Sequence, residues 1–268
     1  MKMKNILVVL LALIMNACAI ESLRTENKTP PPVVTEKNPA PTAEPEAKPE
    51  PVKVEKKEEP AAHSHSARQK GPIAADEALK LLKSGNQRFQ KSQFRKDGAL
   101  APDRQRLVLG QKPYAIILSC SDSRVPPEVV FDQKLGEIFV VRTAGQSADF
   151  SAIASIEYAV EHLGANLIVV MGHESCGAVK AAHATFTNPP PSSPHLQALI
   201  KDIQPRIAIF SSTKISAGAL DEGWANVVGA AKDLVEKSQV IREAVQSGEV
   251  KIVRSLYHLG TGDVEWQR

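Results

Sequence analysis

Two short apolar runs in this chain each end in residues that bind metals, and that pairing narrows the folds open to it. The first run, Tyr114 to Leu118, is followed by Cys120-Ser121-Asp122-Ser123-Arg124. The second, Asn166 to Met171, ends in Gly172-His173-Glu174-Ser175-Cys176-Gly177. Both runs are shorter than a typical helix and nearly continuous in apolar character, the pattern of strands buried on both faces. Such strands belong to parallel sheets, where ligand sites lie beyond the carboxyl ends of the strands. Cys120, Asp122, His173 and Cys176 would meet there as two sulfurs, one nitrogen and one oxygen, a set that suits a tetrahedral zinc ion.

The segments around these runs alternate between strand and helix. Ala75 to Leu82 has helical apolar spacing with Asp76 and Glu77 in its first turn; Gly85-Asn86 is expected to end it and Gln87 to Phe89 to start another short piece. Gln93 to Leu109 reads as irregular and then helical. After the first strand, Val125 to Asp132 turns through a short helix. Glu137 to Arg142 is a second strand, with Thr143 to Gln146 as its C-terminal loop. Ser151 to Leu163 carries a helical stripe, Leu167 to Met171 is the third strand, and Gly177 to Ala182 opens another helix. Leu196 to Phe210 and Trp224 to Gln246 read as two further helices. Val250 to Tyr257 and Val264 to Trp266 close the chain as strands. The predicted fold class is α/β: a mostly parallel central sheet flanked by helices, with an N-terminal helical arm.

Residues 1–18 have the build of a secretory signal: Lys2 and Lys4, an apolar run from Ile6 to Met15, then Asn16-Ala17-Cys18. The small residue before Cys18 resembles a bacterial lipoprotein signal, in which the cysteine is lipidated. Met15 and Asn16 depart from the usual pattern, and an ordinary cleaved signal or an uncleaved anchor are the alternatives. Residues 19–70 are rich in Pro, Glu and Lys and offer almost nothing to bury, so a disordered tether is expected. His63 and His65 within it are read as incidental. The folded domain then spans 71–268. These boundaries imply an exported protein in the periplasm or cell envelope, held to a membrane through Cys18. The formal charge is +3 with 4% aromatic residues, and the basic residues are scattered, which argues against nucleic-acid binding.

The folded part holds only Cys120 and Cys176. Two cysteines in an exported protein also suit a disulfide or redox pair. Taken singly, each reads as a buried thiol, and His173 as a satisfied core histidine. Asp122 and His173 at matching strand ends move the weight to a metal.

The two blocks together resemble the β-class carbonic anhydrases, over roughly Ala75 to Val264. Gly85 to Phe89, Arg142 to Gly145 and Glu157 to Val160 extend the likeness. The resemblance implies zinc held by Cys120, His173 and Cys176, with Asp122 either as the fourth ligand or displaced by water. Arg124 would hold Asp122 off the metal, and a zinc-bound hydroxide would then convert CO2 reversibly to bicarbonate and a proton. Gln111, nine residues before Cys120, matches a substrate-placing glutamine of the plant-like branch, and Gly177 would help line the substrate site. Ile117 stands where some bicarbonate-inhibited bacterial members have tryptophan, which puts that inhibitory site in doubt. Thr143 stands where an asparagine is common, so any role of that side chain is lost. Phe131, Phe139 and Tyr158 read as core or as walls of a CO2 pocket. The family implies a homodimer or larger assembly whose cleft lies at the subunit interface, with the N-terminal helices laid over the partner. Two other functions remain open to these residues: hydrolysis of carbonyl sulfide or carbon disulfide on the same fold, and a non-catalytic zinc- or bicarbonate-binding module.

Overall fold

The computed structural model describes residues 71–267. The signal (1–18), Cys18, the tether (19–70) and the pair His63 and His65 lie outside the described residues. Helix α1 is Ala75–Gln90 and α2 is Ala101–Leu107. Strand β1 is Ala115–Cys120, the short α3 is Pro127–Val130, and β2 is Ile138–Thr143. A single 3-10 turn, Ala144–Gln146, leads to α4, Phe150–Glu161, and β3, Leu167–His173. Helices α5 (Gly177–Ala184), α6 (Pro194–Ile203), α7 (Leu220–Lys237) and α8 (Gln239–Gln246) follow. Strands β4 (Lys251–Tyr257) and β5 (Val264–Gln267) end the domain.

The five strands run in the order β2-β1-β3-β4-β5, with every pair parallel except the last, β4 with β5. All six residues of β1 and all seven of β3 are buried, as their continuous apolar character requires of central strands. One face of the sheet, through Ile117, Val169, Met171 and Val253, packs against Ala78 and Leu82 of α1, Val130 and Phe131 at α3, and Val179 of α5. The other face, through Ile116, Leu118, Ile168 and Val170, packs against Ile156 of α4, Val227 and Leu234 of α7, and Ile241 of α8. The chain leaves β1 toward β2 and returns past it to β3, so the strand order reverses between β1 and β3. A crevice opens beyond the carboxyl ends of the strands at such a reversal. Cys120 ends β1 and His173 ends β3, one on each side of it.

Three expectations need correction. Helix α1 does not stop at Gly85-Asn86 but runs through to Gln90, so no second piece starts at Gln87. Gly85 is there because a Cβ would run into the carbonyl oxygen of Phe131. Asn86 is buried and donates to the carbonyls of Val130 (3.2 Å) and Gly262 (2.8 Å). Both residues dock the helix, and local propensity misread them as a stop. Likewise Trp224 to Gln246 is not one helix. It breaks at Ser238, which is extended (φ −112°, ψ 122°) and caps α8 by accepting the Ile241 N–H at 3.0 Å. The stretch Leu196 to Phe210 changes from α6 to a 3-10 helix at Gln204, next to Pro205, which has no N–H to continue the α pattern.

Candidate metal centre

Each candidate ligand is placed by a different piece of backbone. Cys120 is the last residue of β1, paired with Thr143 of β2. His173 is the last of β3, paired with Tyr257 of β4. The chain then turns through Glu174 and Ser175, whose N–H groups bond Tyr257 O (2.9 Å) and Gly218 O (2.6 Å). Ser175 takes a left-handed conformation (φ 58°), which brings Cys176 back toward the sheet as the residue capping α5.

The Sγ atoms of Cys120 and Cys176 and a ring nitrogen of His173 lie within 4.8 Å of one another, all three residues buried. The two sulfurs are unbonded, 3.9 Å apart. Two sulfurs sharing a tetrahedral ion at about 2.3 Å each would stand about 3.8 Å apart. The His173 ring is oriented by its Nδ1, 2.8 Å from the Glu174 carbonyl oxygen. A carbonyl only accepts, so Nδ1 carries the proton and Nε2 presents its lone pair. That Nε2 is buried and has no hydrogen-bond partner. A buried acceptor left without a protein partner beside two thiols has the character of a metal ligand. The donor set fits zinc.

The two thiols are shifted in opposite directions. The neighbouring Cys176 thiol is the largest influence drawing the Cys120 thiol well below its ordinary range. Burial opposes this, while His173 and the N–H groups of Asp122 and Gly145 favour it. The same contact with Cys120, together with burial, pushes the Cys176 thiol up, against the N–H groups of Val179 and Ala178. A cation bound here would take the place of thiol protons, because cysteine binds metal as the thiolate.

Asp122 stands at the rim of this cluster. Its Oδ2 is 3.9 Å from His173 Nε2, and its carboxylate is bonded to Arg124: Nε to Oδ1 at 2.9 Å, Nη2 to Oδ2 at 2.7 Å, and the Arg124 N–H to Oδ1 at 3.0 Å. This two-pronged grip holds the carboxyl far below the usual carboxylate range, against partial burial. The structure therefore brings Cys120, His173 and Cys176 together and places Asp122 beside them in the grip of Arg124.

The other expected residues are placed less closely. Gln111 is exposed in the loop before β1, and no hydrogen bond among the described residues joins it to the cluster. Gly177 is exposed at the first position of α5, and a Cβ there would meet nothing within 4 Å. Phe131 is fully buried against Trp266, as core. Phe139 and Tyr158 lie with ring centroids 6.5 Å apart, and Tyr158 is half exposed. One role escaped sequence reading. Arg142 clamps the backbone of the first motif, with Nε bonding Cys120 O at 3.0 Å and Nη2 bonding Asp122 O at 2.7 Å. A charged residue ending an otherwise apolar strand was the available signal.

A family model described as carbonic anhydrase matches residues 115–264. A carbonic anhydrase 2 of Mycobacterium tuberculosis is 38% identical over 192 residues, covering 71% of this chain and 90% of that protein. A carbonic anhydrase of Mycolicibacterium smegmatis is 38% identical over 195 residues, covering 72% and 92%. Among solved structures, a tetrameric β-carbonic anhydrase from Sordaria macrospora superposes with a TM-score of 0.54 at 22% identity, covering 71% of this chain and 94% of that one.

Proposed function

This chain belongs to the carbonic anhydrase family, in its β class, and from that premise we propose that Cys120, His173 and Cys176 hold a zinc ion at which CO2 and water are interconverted with bicarbonate and a proton. The observation that carries the reading is the partnerless Nε2 of His173, buried between two free thiols and next to an arginine-held carboxylate. When bound, zinc supplies an acidified water, with a pKa lowered from about 15.7 to about 7.

The chain's own groups then do three things. The two sulfurs and the imidazole would hold the ion and offset its charge. Arg124 holds Asp122 ionised and bonded to itself at the rim of the cluster. Oδ1 of Asp122 already accepts two Arg124 donors, but Oδ2 accepts only Nη2 and retains a further lone pair. That lone pair accepts the O–H of the attacking water and so aims the water's other lone pair at the carbon of CO2. Asp122 as a fourth ligand is the closed alternative of the same site. Gln111 and Gly177 are assigned to substrate placement.

Outside the described residues, we propose that 1–18 is an export signal, that Cys18 is lipidated, and that 19–70 tethers a catalytic domain in the periplasm or cell envelope. The family resemblance and the exposed Phe150 and Tyr158 on α4 support a homodimer or larger assembly.

Stopped-flow CO2 hydration across pH, with metal analysis, tests the site. The wild type should be active with one zinc per chain. Asp122→Ala should keep its zinc and lose at least about 100-fold in activity, the size of a lost proton-directing group. A wild type inactive even at alkaline pH sinks the enzymatic reading. An active wild type with an equally active mutant sinks the role of Asp122 alone.

A further inference from the structure

The Cys120 sulfur accepts two backbone N–H groups, from Asp122 at 3.4 Å and from Gly145 at 3.3 Å. The first comes from the same turn. The second comes from the loop after β2, and the position of that loop is not set by its own sequence. Gly145 is left-handed (φ 64°) in a close fit, where a Cβ would stand 2.9 Å from Ile203 Cδ1 and 3.0 Å from Ala178 Cβ. Its carbonyl accepts from Asn226 Nδ2 at 2.9 Å, a contact spanning 81 residues of sequence. Asn226 lies on α7 with no exposed surface, beside Val227 on the face that packs the core. A buried amide in an apolar face is costly unless both ends are bonded. Here both are, since Oδ1 accepts from Arg206 Nη1 at 3.3 Å. An arginine only donates and a carbonyl only accepts, so this orientation of the amide is the one that works.

Arg206 is itself locked. Its side chain is 3% exposed and bonds Asp233 through Nε (3.0 Å) and Nη2 (2.7 Å), and Asp202 through Nη2 (2.7 Å). Gly229 leaves the space, since a Cβ there would stand 2.7 Å from Arg206 Cβ. Asp202 also reaches the loop, accepting from Ser147 Oγ at 2.6 Å, while Thr143 Oγ1 bonds the Ser147 carbonyl at 2.8 Å. The turn from 143 to 147 is thus clamped at Gly145 and at Ser147 by one network. A buried arginine between two aspartates adds little net stability over apolar packing. What it supplies is a fixed direction for Asn226.

We propose that Asn226, fixed by Arg206, is a positioning residue for the metal centre. It holds the Gly145 carbonyl so that the adjacent Gly145 N–H is aimed at the Cys120 sulfur, and it thereby tunes that sulfur as a ligand. The proposal rests on Cys120 binding the metal.

The test uses the full chain loaded with zinc or with cobalt(II). In Asn226→Asp the acceptor for Arg206 is kept, and the donor to Gly145 is replaced by a carboxylate oxygen that cannot donate. Asn226→Leu removes both bonds. Ile156→Ala, a core cavity on α4, serves as a control for lost stability without contact to the loop. The Asn226 variants should bind zinc about 10–100-fold more weakly in chelator competition, the usual effect of losing a partner that orients a ligand. They should also shift the thiolate-to-cobalt absorption band. Ile156→Ala should lower the melting temperature and leave the band in place. A band and a zinc affinity unchanged in both Asn226 variants overturn the proposal. If those variants do not fold, Arg206→Lys decides: it keeps the charge without the fork, and an unshifted band there also overturns the proposal. A wild type that binds cobalt with no thiolate band at all overturns the metal reading together with this one, so the two failures are distinct.

Discussion

Asp132 shows that a buried, multiply bonded carboxylate need not lie at the cysteine–histidine cluster. It is left-handed (φ 45°) and its side chain has no exposed surface. It accepts from Arg88 Nε at 2.6 Å, Lys134 Nζ at 3.0 Å and the Arg95 N–H at 3.1 Å. Burial raises its pKa, and the two cations and the N–H more than offset this, leaving it below the usual range. A carboxylate depressed in the folded state stabilises above its unfolded value of about 3.9, and the contribution is lost as pH falls through the folded value. Asp132→Asn should therefore cost about 1–3 kcal/mol near neutral pH. The gap between variant and wild type should close below about pH 4. Denaturant unfolding at several pH values checks both, and a gap constant with pH would refute the assignment. Nothing in the sequence marked Asp132, because two of its three partners, Arg88 and Arg95, come from α1 and from the loop after it. The candidate metal ligands were legible by contrast, since each carries ligand chemistry in its own side chain at or just beyond a visible strand end.

At the scale of elements, Gly85 and Ser238 explain where sequence reading went astray. Inside a helix, alanine is favoured over glycine by about 1 kcal/mol. Gly85→Ala would nonetheless force α1 away from α3, since the new Cβ meets the backbone oxygen of Phe131 and not a movable side chain. Overpacking of this kind costs about 1–3 kcal/mol. The variant should lower the denaturation midpoint despite its better helix propensity, and a raised midpoint would show that α1 can shift at no cost. Ser238 was a weaker signal. A serine three residues before an apolar position is a common enough cap, but Val227, Leu234 and Ile241 keep a seven-residue spacing straight across it. The apolar stripe survived the break, so periodicity alone could not find it. The strands were read well because continuous apolar runs bounded by glycine and proline have few other interpretations.

The whole molecule presents its own question in the surface left uncovered by one chain. Phe150 is 88% exposed and Tyr158 49%, both on α4, while Leu109 is 98% exposed in the loop before β1. Helix α1 buries Ala78 and Leu82 against its own sheet, so docking on a partner would fall to its outward side, which carries Leu81. We expect sedimentation to give at least twice the mass of one chain. Phe150→Glu should weaken that assembly, and a wild-type monomer at micromolar concentration would refute it. If the proposed lipid anchor and export hold, Cys18→Ala should move the protein from the membrane to the soluble fraction outside the cytoplasm. Recovery of the wild type in the cytoplasm would end that proposal.

By itself the sequence determined the order of the strands along the chain, the mostly parallel sheet, and the side chains that make up the cluster. Those follow from local periodicity and from side chains that carry their own chemistry. Only the tertiary structure decided that His173 Nε2 is left over beside both thiols, and that the loop after β2 reaches the Cys120 sulfur under the hold of Asn226 and Arg206. Those facts depend on groups from separate elements meeting in three dimensions. Neither helical nor strand spacing records such meetings, because each partner alone has an ordinary reason to be where it is.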